Sequence, residues 1–218
     1  MRPTSRQPTT GKRAGTGALR PPRGLMVVLS SPSGAGKTTV ARALLKKEKN
    51  LVRSVSCTTR PRRPGEKNGR DYFFVTRAKF DALRRKGAFL EWARVFDRTY
   101  GTPKAWVDRQ LRKGRDVLFV IDIQGARTLR GKRLDALFVF LKPPGWRALR
   151  ERLLGRGTET PEALSLRLKT ARRELAEAPR YDFRVVNDRV SKAVARLRRI
   201  LAAERKKRAK TARGTCRR

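Results

Sequence analysis

The sequence predicts an α/β fold built on a parallel sheet. Three observations carry that expectation: short, wholly apolar runs recur along the chain, helix-spaced segments alternate with them, and the first run passes through a glycine-rich turn into a helix. In "GLMVVLS", Leu25 to Leu29 form the first run, suited to a strand buried on both faces. "SPSGAGKTT", Ser31 to Thr39, supplies the turn, and Val40, Ala43 and Leu44 line one face of the helix after it. Further runs follow at "DVLFVID" (Asp116 to Asp122), "ALFVFL" (Ala136 to Leu141) and "DFRVVN" (Asp182 to Asn187). Parallel strands joined through helices take right-handed crossovers. Leu164, Leu168, Ala171, Leu175 and Ala178 make one apolar helical stripe, with Pro161 suited to its first turn after Thr160. Val190, Val194, Leu197 and Leu201 make another.

Between the first helix and Pro103 the texture changes. "SVSCTTRPRRPGEKNGRDYFFVT" and "AFLEWARVFDRTYGT" are rich in β-formers, Gly and Pro, with one helix candidate, Arg77 to Lys86, between them. This reads as an inserted α+β module over about residues 54–102 of a domain spanning 24–203. Residues 1–23 carry no acidic residue and no hydrophobic periodicity, so a flexible basic tail is expected. A transit peptide would need an amphipathic helix, which Pro3, Pro8 and Pro21 oppose. Past Ala203, "ERKKRAKTARGTCRR" reads as a second flexible basic tail, residues 204–218, because its like charges repel and its apolar content is minimal.

Composition narrows the function classes. The 218 residues hold 57 Lys+Arg against 18 Asp+Glu, a formal net charge of +39, whose field attracts polyanions: nucleotides, nucleic acid or an anionic membrane surface. No apolar run approaches the ~20 residues that span a bilayer, and the amino terminus lacks the apolar segment of a secretory signal. A soluble cytoplasmic protein is expected. The chain has no histidine, and its two cysteines, Cys57 and Cys216, sit in dissimilar surroundings, which points away from a disulfide framework and from a His/Cys metal site. Cys57 is expected to be a small packing residue, and Trp92, Trp106 and Trp146 core or interface fillers.

The glycine-rich turn carries the first chemical motif. It follows a buried strand and opens a helix, the setting in which G-x-x-x-x-G-K-[ST] binds phosphate. Gly34 and Gly36 let the backbone turn its N–H groups around phosphate oxygens, and the helix N-terminus adds a favourable dipole. Lys37 then reaches the β- and γ-phosphates, and the Thr38 hydroxyl is offered to Mg²⁺. Ser31 stands where the pattern has its first glycine. That glycine serves the turn out of the strand, so a small residue suffices if its φ is negative.

With "SVSCTTRPRRPGEKNGRDY", "FLEW", "YGTP", "IDIQGA", "GRGTET" and "VVND" in the same order and spacing, the chain resembles the guanylate kinases over about residues 24–203. The resemblance implies a P-loop core that binds ATP, an inserted module that binds GMP, and an arginine-bearing lid at about residues 151–169. It implies ATP contacts from Ser33, Gly34, Ala35, Gly36, Lys37, Thr38, Thr39 and Arg152, with Mg²⁺ at Thr38. For GMP it implies Ser56 at the base and Arg60, Arg63, Tyr72 and Tyr100 at the phosphate, with Thr102 assisting at the base and Asp122 on the GMP side. Arginine presents a planar donor fork suited to phosphate. Glu91 in "FLEW" is implied as the guanine reader: guanine's adjacent N1–H and N2–H₂ donors suit one carboxylate, whereas adenine's N1 is an acceptor. Thr102 also reads as a helix cap, because Pro103 follows at what looks like a first helical turn.

Lid arginines Arg152, Arg156 and Arg167 fall on family positions, and the resemblance assigns Arg156 and Arg167, with Lys37, to the transfer itself. The chain departs from the pattern in "FVIDIQG". Val120 stands where the family usually carries an acid resembling the one that organises Mg²⁺. Two other readings stay open on the sequence alone. One is a guanylate-kinase-like binding or scaffold module, associated with nucleic acid through basic tails; Lys37, Thr38 and the lid arginines favour the enzyme instead. The other is a related kinase acting on a different phosphorylated sugar, against which Ser56 and Glu91 argue.

Overall fold

The computed structural model describes residues 24–95, 97–154 and 161–214. From the amino end, β1 (Met26–Ser30) leads to α1 (Lys37–Lys47) and β2 (Leu51–Arg53). The chain then leaves this core for β3 (Cys57–Thr58), β4 (Phe73–Phe74), α2 (Arg77–Arg85), β5 (Phe89–Val95) and β6 (Arg98–Pro103). It returns through α3 (Lys104–Arg112), β7 (Asp116–Val120), α4 (Ile123–Gly131), β8 (Ala136–Lys142), α5 (Trp146–Leu154) and α6 (Pro161–Leu175). A 3-10 turn at Ala178–Arg180 precedes β9 (Phe183–Val186) and α7 (Val190–Gly214).

Each apolar run becomes a strand of one five-stranded parallel sheet, ordered β2-β7-β1-β8-β9. Every residue of β1 is buried, so the run is apolar without alternation because both faces are covered. On one face Leu25, Val27 and Leu29 pack against α1 and α7; on the other Met26 and Val28 pack with α3, α4 and Tyr181. Edge strand β2 follows the polar "KKEKN" and has three residues, too few for a periodic signal.

The expected α+β module is a second sheet, β4-β3-β6-β5, with α2 against it. Its small core stacks Phe80 on Phe89, ring centroids 4.7 Å apart, beside Cys57. Burial pushes the Cys57 thiol up to about 11, which keeps it protonated and inert at neutral pH. Of the two roles expected for Trp92 the core is ruled out: it is 42% exposed, with the Arg84 guanidinium over its ring. Trp106 does pack partly buried against the sheet.

The carboxyl-terminal expectation needs correction. Residues 204–214 continue α7 as helix instead of forming a flexible tail. Acids, most of them distant in sequence, pair with two of its arginines. Arg205 donates to Asp116 at 2.7 Å and to Glu48 at 2.8 Å, Arg198 also donates to Glu48, and Arg208 pairs with Asp135 and Glu204. Burial alone would raise the Glu48 carboxyl, but the hydrogen bonds from Arg198 and Arg205 outweigh it and hold the group below its ordinary value. Asp116 is itself buried, and its other oxygen accepts from the Leu25 N–H at 2.7 Å. One carboxylate thus ties α7 to the start of the central strand.

Arg205→Ala removes a partner of a buried carboxylate and is expected to cost about 1–3 kcal/mol in urea unfolding. A chain ending at Ala203 should unfold at lower urea than one ending at Gly214; equal midpoints would show that the terminal helix adds nothing.

Candidate active site

In an open parallel sheet, ligands bind outside the carboxyl ends of the strands where the winding reverses. Strands β7 and β8 flank β1 on opposite sides, so that point lies at the end of β1, where residues 31–36 turn into α1. Gly34 and Gly36 take φ of 83° and 87°, in the left-handed region that favours glycine. Among the described non-glycine residues only Arg133 has positive φ, so Ser31 fits its turn without strain. Gly36 starts α1 with no side-chain cap, which leaves the first-turn N–H groups to an anion.

Lys37 is only partly exposed, and its ammonium is turned inward to donate to the Ile121 carbonyl. Burial lowers its pKa to about 8, although Asp122 and Glu174 both oppose the shift. The loop is braced from behind. Asn187 Nδ2 donates to the Ala35 carbonyl at 2.8 Å, and Arg152 reaches that carbonyl at 3.5 Å and the Asn187 carbonyl at 3.1 Å. Ser33 donates its N–H to Glu174 at 3.1 Å. Exposed Thr38 borders a cleft of about 340 Å³ that Arg42, Arg53, Asp71 and Val120 also line.

A second cleft, of about 290 Å³, lies between the two sheets. Ser56, Tyr72, Glu91, Tyr100 and Asp122 line it, and Arg53 and Val120 border both clefts. Val120, at the position of the missing acid, thus stands between them. Glu91 is 5% exposed and accepts from the Thr102 hydroxyl at 2.6 Å; that hydroxyl lies 3.2 Å from Ser56 Oγ. Burial pushes the Glu91 carboxyl up to about 7, and the Asp122 charge adds to the shift. Thr102 therefore bonds Glu91 and does not cap the helix: α3 is capped at Pro103, without a side-chain bond. Asp122 has a structural bond of its own, accepting from the Gly125 N–H at 2.8 Å as the N-cap of α4.

At the rim, the Arg60 guanidinium lies 5.5 Å from the Tyr72 ring centroid, and Tyr72 and Tyr100 meet edge to face at 6.0 Å. Glu66 holds Arg60 at 2.6 Å and 2.9 Å and accepts from the Arg63 N–H. Arg63 is exposed on the same loop. Arg167 lies partly exposed on α6, and Arg156 falls outside the described residues. Sequence reasoning missed Glu66, Glu174 and Asn187 as site residues. "VVND" did contain Asn187, but no local spacing announces a bond to Ala35, 152 positions away.

The electrostatics suit two anions approaching one seam. The loop side offers an ammonium and N–H donors to phosphate, while the module side offers a buried carboxyl to a base with paired donors.

A guanylate kinase family model matches residues 23–204. The chain is 50% identical to a guanylate kinase of Novosphingobium aromaticivorans over 187 residues, 85% of either chain. It is 52% identical to one of Rhodopseudomonas palustris with the same coverage. A crystal structure of guanylate kinase from Anaplasma phagocytophilum superposes with a TM-score of 0.67 at 37% identity, covering 86% of this chain and 89% of that one. With the phosphate loop, the second sheet and the buried glutamate in one arrangement, the chain belongs to the guanylate kinase family.

Proposed function

We propose that the protein transfers the γ-phosphoryl group of ATP to GMP, giving ADP and GDP. The observation that carries this reading is the pair of clefts sharing Arg53 and Val120, with Thr38 on one and Glu91 on the other. Ser33 to Thr39 cradle the ATP phosphates through loop N–H groups, and Lys37 exchanges the Ile121 carbonyl for them. Arg152, through the bonds it makes to the loop, braces the ATP side. Glu91 accepts guanine's paired donors, with Ser56 and Thr102 completing the polar wall and Asp122 beside it. Tyr72 and Tyr100 hold the GMP phosphate with Arg60 and Arg63, after Arg60 gives up Glu66. Arg156 and Arg167 stabilise charge as transfer proceeds. No general base is required, because the accepting phosphate is already anionic.

Among the described residues, no group of three or more acidic, cysteine or histidine side chains could hold a metal by itself. A Mg²⁺ ion carried by substrate phosphates would be met by the exposed Thr38 hydroxyl and would neutralise phosphate charge. No described helix is long and apolar enough to cross a membrane, and the reading locates the enzyme with its substrates in the cytoplasm. The surplus of basic residues supports an additional weak, sequence-independent attraction to nucleic acid, with Lys206, Lys207 and Lys210 exposed near the end of α7. Retention on DNA at low salt should then fall steeply as salt rises, and removal of residues 1–23 and 204–218 should reduce it. Equal retention by the shortened chain would assign the attraction to the core.

Lys37→Ala should lower the rate of ADP release about 10²–10³-fold while calorimetry finds GMP affinity unchanged. An equal loss of GMP affinity would contradict two separate sites.

Glu91 predicts a pH dependence with a definite sign. Guanine's donors require the carboxylate, so below about pH 7 GMP must displace a proton, and KM for GMP should rise by up to about tenfold per pH unit. Glu91→Gln should abolish this slope, leaving only the titration of the GMP phosphate near pH ~6. Stability moves the other way. Folding raises the Glu91 pKa, so its contribution is fully present below the unfolded value and lost as pH rises through about 7. The ligand-free Gln variant should therefore melt higher than the parent at pH 8, while losing guanine selectivity. Parallel pH slopes in parent and variant would remove Glu91 from the base site.

A further inference from the structure

Helix α5 is packed onto the phosphate loop, and α6 is packed onto α5. A Cβ on Gly34 would lie 3.0–3.1 Å from the side chains of Leu149 and Leu153, and α6 packs on these two leucines through Ala171, Leu168 and Leu175. From the same helix the Glu174 carboxylate accepts from the Ser33 N–H at 3.1 Å. Its charge also acts on the inward-turned ammonium of Lys37. A carboxylate oxygen here occupies a donor of the loop that cradles phosphate.

We propose that Glu174 is a latch of the ligand-free state, an internal carboxylate that holds α6 on the phosphate loop until the polyphosphate of ATP displaces it. The proposal rests on the reading of the loop as the ATP site. Burial raises the Glu174 carboxyl above its ordinary value, so the position is costly for an anion and is held by the Ser33 N–H and Lys37. A triphosphate brings several negative charges to the same donors. Like charges at contact distance repel, so the carboxylate and the phosphates do not share the loop. Arg167 lies seven residues before Glu174, two turns away on the same face of α6, or about 10 Å along the axis. Glu174 is a positioning residue, acting through α6 and the loop and not on the reacting atoms.

The test is calorimetric titration of ATP, inorganic tripolyphosphate and GMP into the full chain and into Glu174→Gln and Glu174→Ala. Removing the carboxylate charge should tighten ATP and tripolyphosphate by about three- to tenfold, the scale of one charge contact near a surface, and leave GMP unchanged. A merely structural role would weaken all three ligands. Unchanged or weaker ATP affinity in the variants overturns the latch. If the parent chain binds neither ATP nor tripolyphosphate, the reading of the loop itself is overturned.

Discussion

The structure depends on the turn that brings the Lys37 ammonium inside. A charged amine is held at the seam between β1 and β7 because the Ile121 carbonyl accepts from it and Asp122 lies near, yet burial still lowers its pKa to about 8. Such a group is partly starved of counter-charge, and in the proposed reading an incoming phosphate supplies it. The geometry of this turn requires two left-handed glycines, a strand buried on both faces before it and a helix opening after it. Braces from Asn187 and Arg152 stop the loop from relaxing away.

Glu91 is the counterpart across the seam. It too is buried at a cost, with its carboxyl pushed up to about 7, and in the proposed reading a base presenting paired donors relieves that cost. The two groups are strained in opposite senses, one toward the neutral amine and one toward the neutral acid. At neutral pH Lys37 remains mostly charged, whereas Glu91 stands near its midpoint. The same economy of charge pairs Arg60 with Glu66 and builds the fold's own staple, in which Asp116 and Glu48 neutralise Arg205. In a chain of net charge +39, buried Asp116 and Glu177 each have arginine partners, and buried Glu91 accepts from the Thr102 hydroxyl.

The parallel core was legible because strands covered on both faces write themselves as uninterrupted apolar runs, as at Leu25 to Leu29 and Ala136 to Leu141. The site was legible in its local parts: the glycine turn with Lys37, and Glu91 within "FLEW". What sequence concealed were the long-range partners. The charge run after Ala203 reads as self-repelling until Glu48 and Asp116 arrive from far along the chain to pair with Arg205. Thr102 resembles a helix cap until β5 brings Glu91 to its hydroxyl. Glu174 looks like one more solvated charge on a helix, and only the packing of α5 and α6 against Gly34 brings it to Ser33. Trp92 is the converse case: its sequence setting suits core or interface, and the structure places it at the surface under Arg84.

The central claim is that a buried carboxylate beside a phosphate loop selects guanine for phosphorylation. It is tested most directly by ATP-dependent ADP release measured with GMP, dGMP, AMP and UMP as acceptors. The account predicts kcat/KM for GMP above that for AMP by about 10⁴, the scale on which a site built for paired hydrogen bonds rejects an analogue that lacks them. Comparable turnover of AMP and GMP would contradict it.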